Sequence, residues 1–199
     1  MKRSWGWAVL LLIPMALYTL GLAHGRPRAA YSPSTVQNAW LHPVTVYHPD
    51  EFAYVGLAYR MLHASEWNPH YYHNPSLNIY SNIGMFALAG AGDLPVNLDY
   101  NDRAIAPFAL YVTARYLSAL YTLLAVALAY AAGRLACGAF AGRAAAGLVA
   151  LSPLMVQHAH YATPNAQATL VTTASLLAAL AILKDARPAR LPESALYAL

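Results

Sequence analysis

Between Ala106 and Ala132 the chain carries one charged side chain, Arg115, and this long apolar run limits what the protein can fold into. A helix of about 20 apolar residues crosses the roughly 30 Å hydrocarbon core of a bilayer, so such a run predicts a transmembrane helix. Three other runs read the same way, at about Trp5–Ala23, Ala144–Gln157 and Ala166–Leu183. The expected fold class is all-α: a polytopic α-helical membrane protein with about four transmembrane helices. Composition agrees, since 59% of the residues are hydrophobic and only 10% are charged, too apolar a balance for an ordinary soluble domain. The first run, preceded by Lys2 and Arg3, also fits a cleaved signal peptide, but the spans that follow favour a retained helix.

Charge sets the expected orientation. With the N-terminus cytoplasmic, the inner segments hold Lys2 and Arg3, then Arg134 and Arg143, then Lys184, Arg187 and Arg190, as the positive-inside rule requires. A fifth span at Leu77–Gly92 would place the later clusters outside. Asn78, Ser81 and Asn82 give that segment a polar side, so it is expected as an interfacial or re-entrant helix. The basic residues form short clusters between apolar runs rather than a stripe that could follow phosphates, so nucleic acid is not an expected partner. The lone Cys137 cannot form an intrachain disulfide and reads as a small apolar filler.

This topology puts a long segment, about His24–Ile105, on the outer face, with six of the eight acidic residues. All eight histidines fall outside too, His158 and His160 in the loop after the third span. A connection this long is expected to be folded and functional. Within it, Asp50–Ala64 predicts a helix along the membrane surface, with Pro49 at its start, two acids in its first turn and an apolar face of Val55, Leu57, Ala58, Met61 and Leu62. Asp50 and Glu51 then have a simple explanation as complements to the helix dipole. Two further features point beyond it. The third run is short for a span, so its outer end should open into protein or a water-filled cavity near His158–Asn165. Arg115, charged within a span, calls for a partner, and an anionic headgroup is a natural one, with snorkelling to the interface as the alternative.

The order His48-Pro49-Asp50-Glu51, Arg60-Met61-Leu62, Asn68-Pro69-His70-Tyr71-Tyr72, Pro75-Ser76-Leu77, Arg115-Tyr116-Leu117-Ser118-Ala119-Leu120, Ser152-Pro153-Leu154 and His160-Tyr161-Ala162-Thr163 resembles the N-terminal part of phospholipid-carrier-dependent glycosyltransferases. These are glycosyltransferase family 39 and the protein O-mannosyltransferases, of the type C glycosyltransferase fold. The resemblance covers nearly the whole chain as the N-terminal part of one transmembrane domain. It implies an enzyme in the plasma membrane of a bacterium that takes a sugar from a polyprenyl-phosphate carrier, with inversion, and places it on a protein, lipid or glycan acceptor at the outer face. Asp50 matches the family's base, with Glu51 orienting or supporting it, because a hydroxyl acceptor becomes a good nucleophile only when a carboxylate takes its proton. Arg115 or Arg103 would stabilise the departing phosphate. His48 would tune the surroundings of Asp50, and Asn68, His70, His160 and Asn165 would hydrogen-bond the sugar or its carrier.

Two departures stand against the family pattern. Relatives often carry an aspartate where this chain has Asn165, a loss that would alter acceptor choice, leave the site without a metal or inactivate it. A neutral amide still hydrogen-bonds a sugar hydroxyl. The chain also stops at Leu199, where family members continue through more spans, so it is expected to be an N-terminal portion lacking much of the carrier groove. A divalent metal is left open: His70 with His73, or His158 with His160, offers imidazoles, but the spacing is not diagnostic and hydrogen bonding is the more economical use. The rival reading is a membrane-anchored binding protein or transporter-type subunit that holds a ligand without reacting it.

Overall fold

The computed structural model describes residues 5–24, 48–94, 97–98 and 104–185. Among them are seven α-helices: α1 (Trp5–Thr19), α2 (Pro49–Ala64), α3 (Leu77–Leu88), α4 (Phe108–Cys137), α5 (Ala139–Ala150), α6 (Pro153–Ala159) and α7 (Asn165–Asp185). A 3-10 turn, Ala91–Asp93, follows α3, and two short strands, β1 (Asn97–Leu98) and β2 (Ala104–Ile105), pair antiparallel with Asn97 opposite Ile105.

The all-α expectation holds, whereas the spans differ from it in detail. α4 and α7 are long and apolar enough to cross a membrane. The expected third span is not one helix over 144–157 but two, α5 and α6, bent by 61° at their junction. Proline explains the break: Pro153 opens α6, and the Ser152 before it is forced to an extended ψ of 124°. Counted as one broken span, this pair raises the number of candidate spans from two to three. α1 is described over 15 residues, and at its end the chain leaves the helix in turns around Gly21, whose φ is +85°.

Two cores organise these helices. In the first, Tyr54, Val55, Ala58 and Tyr59 of α2 pack with Ile79, Ile83 and Phe86 of α3 and with Leu110, Tyr111 and Ala114 at the start of α4. α3 turns Asn78 and Asn82 into the protein: Asn78 Nδ2 donates to the Thr163 carbonyl at 3.4 Å, and Asn82 Nδ2 to Asn78 Oδ1 at 3.2 Å. The polar side of this segment therefore faces protein, and α3, with 12 residues, is shorter than a span.

The second core joins Tyr18 and Leu22 at the end of α1 to Ala119 and Val126 of α4, Ala146 and Ala150 of α5, and Ala159 of α6. Small residues let α4 and α5 approach: a Cβ on Gly142 would lie 2.8 Å from the Tyr130 carbonyl oxygen, and one on Gly133 2.8 Å from that of Ala141. Gly138, at φ +89°, reverses the chain between them.

Candidate functional site

The two cores meet at a buried charge pair. Glu51, in the first turn of α2, is fully buried, and Arg115 of α4 is 2% exposed. The pair is bidentate: Arg115 Nε donates to Glu51 Oε1 at 2.8 Å, and its Nη2 donates to Oε2 at 2.7 Å. The Nη1 nitrogen donates to the carbonyls of Leu22 at 3.0 Å and His24 at 2.9 Å. Glu51 Oε1 also accepts from the Ala162 backbone N–H at 2.7 Å. The exit of α1, the start of α2, the body of α4 and the loop after α6 are thereby tied to one point.

This geometry corrects one expectation. Arg115 is not open to a carrier phosphate, because its guanidinium is buried and each of its nitrogens already donates to a protein oxygen. Glu51, expected to orient or support Asp50, has both oxygens engaged below the surface. Burying two charges is tolerated only with such full pairing.

Asp50, one residue away, has the opposite environment, with its side chain 53% exposed. Helical geometry produces the contrast, because adjacent residues point about 100° apart and only one can face the core. His48 caps the helix: it is extended, at φ −122° and ψ 122°, and its Nδ1 accepts from the Asp50 N–H at 3.3 Å. The same Nδ1 lies 3.7 Å from Asp50 Oδ2.

The loop after α6 supplies the facing wall. The Tyr161 ring lies 5.3 Å from the His48 ring, centroid to centroid. His158 is within electrostatic reach of His48, and its Nδ1 is 3.4 Å from Asn165 Nδ2. Asp50, His48, Tyr161, His158 and Asn165 thus form one polar cluster. Tyr161 stands in the sequence only as part of the run His160-Tyr161-Ala162-Thr163, which gave it no role of its own. Behind the cluster, Asn74 Nδ2 donates to the buried Tyr54 hydroxyl, and burial pushes the Tyr54 phenol well above its ordinary range.

The other expected site residues lie elsewhere. His160 is occupied: its Nδ1 faces the Val156 carbonyl at 2.6 Å and its Nε2 that of Leu20 at 2.8 Å, which leaves no ring nitrogen for a sugar. Asn68 and His70 belong to an exposed loop, where Asn68 Oδ1 accepts from the His70 N–H and the Tyr72 hydroxyl, and His70 Nε2 meets Glu66 at 2.7 Å. Arg103 lies outside the described residues. Among the described residues no three His, Cys, Asp or Glu side chains converge where a metal ion could bind.

Compared with known proteins, the chain matches no known family, no curated protein and no solved structure.

Proposed function

We propose that this chain is the N-terminal, base-bearing part of a membrane glycosyltransferase of the type C fold, with α1 and the bent α5–α6 pair completing a set of four spans. The reading rests on the motif order in the sequence and on one observation above all. Two adjacent carboxylates are divided, Glu51 locked under Arg115 and Asp50 exposed at the mouth of a polar cluster.

In this reaction Asp50 takes the proton of an acceptor hydroxyl as its oxygen attacks the anomeric carbon of the donor sugar. The bond from that carbon to the carrier oxygen breaks on the opposite face, the polyprenyl phosphate leaves with the bonding electrons, and the configuration inverts. Glu51 and Arg115 touch no reacting atom; they hold the first turn of α2 against the loop that carries Tyr161 and Ala162. Arg115 is withdrawn from the phosphate, and Arg103 retains that proposed place.

The test is transfer of a radiolabelled sugar from polyprenyl phosphate in native membranes containing the complete protein. Label should pass to an outer-face acceptor only when the protein is present. Equal transfer in membranes from a strain lacking it would overturn the proposal.

A further inference from the structure

Two hollows, of about 300 and 340 Å³, flank the start of α7 and share Asn165, Ala168 and Thr172. These three positions lie on one helix face, so the hollows are two sides of one furrow descending along α7. Leu77 and Pro75 wall one side, and Leu154, Met155 and His158 wall the other. Each hollow is of a size that takes a small molecule.

Three observations say what fits there. First, only 11% of the apolar window of α7 is buried in protein, so a helix long enough to cross the membrane presents this furrow sideways, toward hydrocarbon. Second, among the described residues no Lys, Arg, Asp or Glu lines either hollow; the polar groups are amides, threonine hydroxyls and His158. A phosphate would lie there without a cation, whereas uncharged hydroxyls would find donors and acceptors. Third, the head of the furrow adjoins the cluster of Asp50, because Asn165 contacts His158 and His158 senses His48.

We infer that the furrow seats the acceptor, and that the acceptor is a membrane lipid with a neutral, hydroxylated headgroup, an acylglycerol or glycolipid rather than a soluble peptide. The inference rests on the transferase reading for the word acceptor, while the binding stands apart from it. The hydrocarbon lies along Ala168 and Thr172, and the hydroxyls sit at Asn165 and His158, at the edge of the cluster that holds Asp50.

The test is photolabelling of the complete protein in native membranes with a diazirine-bearing monoacylglycerol, compared with diazirine-bearing phosphatidic acid. The monoacylglycerol should label peptides spanning 154–173 in preference to the phosphatidic acid. Ala168→Trp, which fills the furrow, should reduce that label by about tenfold, equivalent to roughly 1.4 kcal/mol. Ala174→Trp, exposed on the side of α7 turned away from Asn165, Ala168 and Thr172, should leave it unchanged. Equal labelling by both lipids, insensitivity to Ala168→Trp, or crosslinks from the furrow to later residues of the same chain would overturn the inference. Because labelling needs no turnover, loss of sugar transfer with retained labelling would count against the transferase reading alone.

Discussion

Glu51 and Arg115 are 64 positions apart in sequence and joined by two hydrogen bonds of 2.8 and 2.7 Å in a site closed to solvent. Neither is dispensable to the other. Truncating one leaves a buried charge without its counterion, a change that costs about 3–5 kcal/mol in comparable settings. Glu51→Ala and Arg115→Ala should each lower the melting temperature in detergent sharply, and the double variant should lose much less than the two losses added together. Additive losses would mean that the two residues act independently.

α1 is bound into the bundle at three points beyond its apolar packing. Tyr18 donates to the Ala150 carbonyl at 2.9 Å, the Leu20 carbonyl faces His160, and those of Leu22 and His24 accept from Arg115. Cleavage after Ala23 would strip the guanidinium of its Leu22 acceptor and His160 of its Leu20 carbonyl. Mass spectrometry of the purified membrane protein should therefore find peptides from Trp5 to Thr19 on the same chain as the rest. A mature N-terminus just after Ala23 would contradict this arrangement.

The α4–α5 hairpin depends on backbone contact. Gly142→Val would drive a Cβ to 2.8 Å from the Tyr130 carbonyl and 3.0 Å from Arg134 Cβ, while a Cβ on Gly147 meets nothing within 4 Å. Gly142→Val should cost about 1–3 kcal/mol, on the scale of overpacked cores, and Gly147→Ala should be nearly neutral. Folded yield by size-exclusion chromatography separates the two; equal behaviour would argue against the tight crossing.

Local pattern carried a good deal of this structure. The run Ala106–Ala132 became α4 (Phe108–Cys137), Ala166–Leu183 became α7, and the predicted Asp50–Ala64 became α2 with its start at Pro49. Each owes its form to nearby residues: charge-free length, or a proline and acids at a helix start. The partner of Arg115 was hidden because it lies on another helix, and a span-embedded cation announces only that it needs an anion, not which one. An anionic headgroup or snorkelling to the interface was the reading open to it, and the buried Glu51 takes the place of both. The bend at Leu151–Ser152 did have a local signal, since Pro153 restricts the residue before it, but mean hydropathy runs straight across the junction. His160 was misplaced for the opposite reason: its motif suggested a ligand contact, and its position next to the exit of α1 turned it toward carbonyls instead.

The division of labour between Asp50 and Glu51 is most directly tested by comparing Asp50→Asn with the wild type for sugar transfer by the complete protein, with detergent-extracted yield and melting temperature as the measures of folding. Asn keeps the size of the side chain and removes only its ability to take a proton. Asp50 is 53% exposed and its carboxylate carries none of the bonds that tie the helices together, so folding should be preserved while transfer falls by about 100-fold or more. Transfer at the wild-type rate by the folded Asp50→Asn protein would contradict the assignment of Asp50 as the base.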